Sequence, residues 1–117
     1  MATKSEIGRK SRQKGKRGER EVAKILQDHG YPGRRSAQVC GKTGQAADVV
    51  GLPGVHIEVK RVERLDLDKA YAQACRDAEA SGKGEIPVVV HRKSRSPWMV
   101  TMALDDFLKI YQEEKND

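Results

Sequence analysis

Asp48, Glu58 and Lys60 are the residues of this sequence whose types and spacing could carry out chemistry. Hydrolysis of a phosphodiester near neutral pH needs a metal ion that activates water and offsets the charge that builds on the phosphoryl oxygens. Mg²⁺ prefers oxygen ligands, usually one or two carboxylates with several retained waters. Asp48 and Glu58 can provide the carboxylates, and Lys60 can orient the attacking water. The pattern alone is a weak signal, because Glu and Lys two residues apart are common on solvated strand faces.

Two predicted strands would bring these residues together. Residues 48–50 form a short strand that ends at a Leu-Pro-Gly turn, and residues 55–62 form the next strand. The second strand alternates between an apolar and a polar face, with Val55, Ile57 and Val59 on one and His56, Glu58 and Lys60 on the other. A Glu and a Lys buried in so apolar a strand would destabilise the fold. A functional role would explain why the sequence retains them.

The remaining pattern predicts a mixed sheet flanked by helices. The predicted elements are a helix over residues 18–29, strands over 34–39, 48–50 and 55–62, a helix over 66–81, strands over 86–91 and 98–104, and a helix from 105. The order αβββαββα indicates the α/β (α+β) class. Glu19 lies on the apolar face of the first helix, where a packed core would not favour an acid.

Residues 1–13 are polar and basic and show no apolar periodicity, so they are predicted to form a flexible basic arm. Order is expected to begin near Gly18, within a single domain that spans residues 14–117.

The positive charge is concentrated at the N-terminus. Net charge is +6; residues 1–35 hold eleven Lys or Arg against four acids, whereas residues 36–117 hold twelve against thirteen. Such a segment attracts phosphate through counterion release, although a solubilising tail has the same composition. Only five residues are aromatic. Stacking platforms for single-stranded nucleic acid are therefore not expected.

The number and spacing of the cysteine, histidine and apolar residues argue against a disulfide framework, a zinc site and a membrane helix. Cys40 and Cys75 are too few for a disulfide framework and lack the paired spacing of a zinc site, so reduced thiols are expected. The three histidines are scattered, without the spacing of a metal cluster. His56 shares the face of Glu58, so it either borders the site or is an ordinary polar strand residue, and the second is the favoured interpretation. The sequence lacks the ~18 consecutive apolar residues of a membrane helix. We therefore expect no membrane partner and a cytoplasmic location.

Short segments of the chain match a known pattern. They are Lys14-Gly15, Glu19-Arg20, Ala47-Asp48-Val49-Val50-Gly51 and Ile57-Glu58-Val59-Lys60-Arg61, with Gln73 on the following helix. Over roughly residues 14–111 the sequence resembles the PD-(D/E)-x-K nuclease superfamily, and within it the Holliday-junction resolvases of archaeal type and their phage relatives. Ala47 stands where the family name has Pro, which lowers the specificity of the motif but removes no ligand.

The resemblance implies a restriction-endonuclease-like core and a Mg²⁺-dependent endodeoxyribonuclease that acts on branched DNA, with Mn²⁺ as a substitute metal. It also implies that Asp48, Glu58 and the carbonyl of Val59 bind the metal. Lys60 would then assist the water, with Gln73 as its partner. Glu19 would join through the metal or a water.

Seven basic residues and one threonine are candidates for contacts to the DNA backbone. They are Lys14, Lys16, Arg17, Arg20, Arg34, Arg35, Lys42 and Thr43. The last two lie in a Gly-rich loop that fails the phosphate-binding P-loop pattern, because Ser36 stands where that pattern requires Gly. A merely solvated loop is an equal alternative there.

Symmetric cutting of a junction requires two sites related by a two-fold axis, so a homodimer is expected. The residues available for its contact, or for closing the core, are Val100, Met102, Phe107 and Tyr111. A nicking or restriction-like nuclease on ordinary duplex stays open, since fold alone does not separate the two. A non-catalytic DNA-binding module of the same fold is the third alternative, against which the intact acids and Lys60 argue.

Overall fold

The computed structural model describes residues 3–36 and 47–115 of the chain. In chain order the elements are α1 (Lys4–Asp28), β1 (Arg34–Arg35), β2 (Val49–Val50), β3 (Val55–Arg61), α2 (Leu67–Ser81), β4 (Ile86–Arg92), β5 (Met99–Thr101) and α3 (Leu104–Lys115). The predicted order of elements and the fold class are confirmed. The first and last strands are shorter than predicted, and residues 37–39 of the predicted first strand lie outside the described residues.

A mixed five-stranded sheet forms the centre of the fold, with the strands in the order β1-β2-β3-β4-β5. The central pair, β3 and β4, is parallel, whereas the pairs on either side are antiparallel. A parallel pair needs a long crossover, and α2 provides it. Asp66 caps α2 by accepting a hydrogen bond from the Lys69 N–H, and Gly82 ends the helix in the left-handed region at a φ of 69°.

Helices cover both faces of this sheet. The α1 residues Val22 and Ala23 pack in one apolar cluster with the buried sheet residues Val49, Ile57, Val59, Val88 and Val90. Ala70 and Ala74 of α2 pack on Val89, whose side chain points to the opposite face. Because β3 is covered on both faces, its polar residues His56 and Glu58 are as deeply buried as its apolar residues Ile57 and Val59.

Helix α1 begins at Lys4, well before the predicted start near Gly18. The prediction that residues 4–13 lack secondary structure is therefore wrong. Thr3 caps the helix by accepting a hydrogen bond of 3.1 Å from the Glu6 N–H, and this Thr-x-x-Glu spacing is a helix-start signature. The Lys, Arg and Gln residues that follow are good helix formers even without an apolar stripe. None of the helices in the described part of the chain is long and apolar enough to cross a membrane.

Candidate active site

Strand pairing brings Asp48 beside Glu58. Val49 lies opposite Ile57 in the antiparallel pair, and the Asp48 N–H donates to the Ile57 carbonyl over 2.9 Å. One carboxylate oxygen of Asp48, Oδ2, accepts a hydrogen bond of 2.8 Å from the Val59 N–H. The carboxyl groups of Asp48 and Glu58 are close enough to share a hydrogen bond. The predicted convergence of these two acids is present in the fold.

The pair is held in a site that disfavours two negative charges. Glu58 is only 3% exposed and Asp48 is partly buried. Burial, followed by the charge of Glu58, raises the pKa of Asp48 to about 7, against the lowering effects of the Val59 N–H and the Lys60 charge. Burial and repulsion by the charge of Glu58 therefore leave Asp48 partly protonated near neutral pH. A divalent cation would relieve the same repulsion, so the donor set suits a hard metal ion.

Val59 and Lys60 of β3 also lie next to the acidic pair. The two backbone groups of a strand residue point to the same edge, so the Val59 carbonyl lies on the edge where its N–H meets Asp48. Lys60 is half-buried two residues beyond Glu58, on the same face of the strand. Its charge is close enough to act on Asp48.

Glu19 lies near the acidic pair but forms an ion pair with Arg35. It is 8% exposed, and its Oε1 accepts a hydrogen bond of 2.9 Å from the Nε of Arg35. Burial raises the pKa of Glu19, the Arg35 hydrogen bond lowers it, and the charge of Asp48 raises it further. Within residues 3–36 and 47–115, no cluster of three or more His, Cys, Asp or Glu residues is arranged to hold a metal. The role of Glu19 as a metal or water ligand stays a prediction.

His56 contacts the site directly. Its side chain is 1% exposed, and its Nε2 lies 3.1 Å from the Oε1 of Glu58. Its Nδ1 lies 3.9 Å from the Oε1 of Glu85, the residue just before β4. The favoured interpretation of His56 as an ordinary polar strand residue missed this contact. The alternation of β3 carried the available signal, since residues two apart share a face.

Gln73 is half-buried on α2. Among the residues that the structure describes, no hydrogen bond joins it to Lys60, so its supporting role stays a prediction.

The candidates for DNA contact fall into three groups. Lys16, Arg17 and Arg20 are exposed and line a shallow groove on α1 with Gln13, while Lys14 nearby is half-buried. Arg34 is exposed on β1, whereas Arg35 is turned toward Glu19. Lys42 and Thr43 lie outside the described residues, as does Cys40.

Comparisons with known proteins agree with this arrangement. A family model described as "Phage putative PDDEXK endonuclease" matches residues 10–117. Among solved structures, the chain is similar to Hjc of Archaeoglobus fulgidus, a Holliday junction resolvase from an archaeal hyperthermophile. The TM-score is 0.57 at 26% sequence identity, and the match covers 76% of this chain and 72% of that chain. A comparison with curated proteins returned no match.

Proposed function

We propose that this chain, which belongs to the phage PD-(D/E)-x-K endonuclease family, is a metal-dependent endonuclease that cuts branched DNA. The observation that carries the proposal is the pair of carboxyl groups of Asp48 and Glu58, withdrawn from water beside Lys60. A buried acidic pair destabilises a fold, whereas a site that has to hold a divalent cation requires one.

The metal would be held by Asp48, Glu58 and the carbonyl of Val59, with Mg²⁺ as the expected ion and Mn²⁺ as a substitute. When bound, it would supply Lewis-acid activation of water and neutralise charge on the phosphoryl oxygens. Lys60 would orient the attacking water and stabilise the negative charge that develops on the phosphate. Glu19 would hold a water at the edge of the site.

Helix α1 would provide much of the DNA contact. Lys16, Arg17 and Arg20 are exposed on it, and residues 4–13 extend the same helix with further cations. Such residues bind phosphates without reading sequence, and their contribution falls as salt rises. We propose that residues 1–13 act as a basic arm on the DNA, ahead of the nuclease domain. Arg35 has Glu19 as its first partner, so its contact with DNA would be secondary.

The junction preference rests on the similarity to Hjc, a Holliday junction resolvase, together with the geometry of symmetric cutting. Two cuts related by symmetry need two active sites at a fixed separation, so we propose a homodimer. Apolar residues of β5 and α3 are exposed: Val100 at 60%, Phe107 at 51% and Tyr111 at 52%. Val100, Met102 and Phe107 line an apolar groove of about 560 Å³. Exposed apolar area of this kind is typical of an interface.

The proposal is tested by incubating the protein with Mg²⁺ and sequence-matched substrates: a four-way junction, a nicked duplex and a linear duplex. We expect paired cuts in the junction and little cleavage of the linear duplex. Equal cleavage of all three would favour a nicking or restriction-like nuclease. Junction binding without cleavage of any substrate would favour a DNA-binding module that kept the fold.

A further inference from the structure

His56 is more deeply buried than an ordinary polar residue of a strand. It ranks among the largest side chains that are fully buried, at 1% exposure. Buried polar atoms require partners, and Nε2 of His56 has a hydrogen-bond partner in Glu58, whereas Nδ1 only approaches a second carboxyl group. Nε2 lies 3.1 Å from Glu58 and Nδ1 lies 3.9 Å from Glu85.

The strand register explains how the three side chains meet. His56 and Glu58 are two residues apart on β3 and share one face. Val55 of β3 lies opposite Ile86 of β4 in the parallel pair. Glu85, which directly precedes β4, therefore lies near His56. The result is a row of carboxyl, imidazole and carboxyl groups that runs from the end of the α2–β4 loop to the acidic pair.

We infer that His56 is a positioning residue that fixes the carboxylate of Glu58 for metal binding, an inference that rests on the proposed function. Glu58 has three side-chain dihedral angles and would otherwise lose conformational freedom when it binds a cation. An ionised carboxylate only accepts hydrogen bonds, so a metal-binding Glu58 requires the tautomer of His56 that carries its proton on Nε2. That tautomer donates to Oε1 and leaves Oε2 available as a ligand. Partners that orient ligands in this way typically change metal affinity or activity by about 10- to 100-fold when they are removed.

The side chain of His56 is separated from solvent, so water cannot simply replace its hydrogen bond. His56→Leu keeps much of the volume but removes the donor to Glu58. His56→Gln places an amide N–H near the position of Nε2 and keeps that donor. This pair of variants separates the hydrogen bond from the packing. His29→Leu, at an exposed position after α1, is the control for the loss of a histidine.

The experiment titrates each metal-free protein with Mn²⁺ alone by calorimetry and measures the thermal midpoint of each variant in EDTA. We expect His56→Leu to weaken Mn²⁺ binding by about 10- to 100-fold, and His56→Gln to recover most of the affinity. Glu85→Gln should give a smaller loss, because Glu85 lies farther from the imidazole. His29→Leu should bind Mn²⁺ as the parent does. The loss of Mn²⁺ affinity in His56→Leu should not depend on how much the thermal midpoint of that variant changes.

Equal Mn²⁺ affinity in the parent, His56→Leu and His56→Gln would overturn the inference while leaving the proposed function intact. Equal losses in the Leu and Gln variants would also overturn it, since packing alone would then account for the effect. If His56→Leu does not fold, His56→Asn replaces it, because its amide is too short to reach Glu58. A parent protein that binds no Mn²⁺ would overturn the inference and the proposed function together.

Discussion

Replacing Asp48 with Asn should stabilise the metal-free protein while removing its activity. The pKa of Asp48 is raised from 3.8 to about 7, chiefly by burial and then by the charge of Glu58. A carboxyl whose pKa is higher in the folded than in the unfolded state binds more protons when folded. Folding stability therefore falls as pH rises between the two pKa values, and it stays at the lower level above pH 7.

The magnitude follows from the size of the shift. At about 1.4 kcal/mol per pKa unit, the full shift corresponds to roughly 4 kcal/mol at pH 8. The Asn side chain still accepts a hydrogen bond from the Val59 N–H, but a neutral amide is a weaker acceptor than a carboxylate. We therefore expect Asp48→Asn to raise the free energy of unfolding at pH 8 by about 2 kcal/mol. The thermal midpoint should rise by roughly 8 °C.

The assay is urea unfolding of both proteins in EDTA at several pH values from 4 to 8. The difference between variant and parent should be small at pH 4, grow toward pH 7 and then level off. Asp28→Asn is the control, because Asp28 is exposed on α1 and forms a surface ion pair with Lys24. A variant that is less stable than the parent at pH 8, or a gain that does not depend on pH, would refute this reasoning.

Three further changes test other parts of the site and the surface. Lys60→Ala should abolish cleavage yet retain Mn²⁺ binding by calorimetry; loss of metal binding would make Lys60 structural. Deletion of residues 1–13 removes Lys4, Arg9, Lys10 and Arg12 against Glu6. It should lower the slope of log affinity against log salt by about 0.9 for each lost phosphate contact, and an unchanged slope would exclude the arm from the DNA. Phe107→Asp, on the exposed stripe of α3, should convert a particle near 26 kDa, about twice the 13.0 kDa chain mass, into a monomer by light scattering. An unchanged mass would place the contact elsewhere.

The fold could be predicted where the hydrophobic periodicity of a segment agrees with the residues that begin or end it. Helix α2 ends at Ser81 and is stopped by Gly82 as predicted, because a left-handed glycine is a local signal. Strand β3 was predicted by its alternation to within one residue. The start of α1 was missed because residues 4–13 have no apolar stripe, so only propensity and the Thr3 cap indicated the helix.

The acidic pair could be predicted for a similar reason. A tight turn joins the strands of Asp48 and Glu58, so local geometry almost dictates their approach. Contacts across distant segments could not be predicted in the same way. The hydrogen bond from Arg35 to Glu19 depends on how α1 packs on the sheet. The approach of Glu85 to His56 depends on the β3–β4 register, which is set only after the α2 crossover forms.

Cleavage of a labelled four-way junction by the parent and by Glu58→Gln, with Mg²⁺ added stepwise from an EDTA-treated start, tests the central claim most directly. The parent should cut only when Mg²⁺ is present. Glu58→Gln should bind the junction as tightly as the parent but not cut it, because the variant loses a charged metal ligand and none of the basic surface. Cleavage by Glu58→Gln at the parent rate, or by the parent in EDTA, would contradict the assignment of the active site.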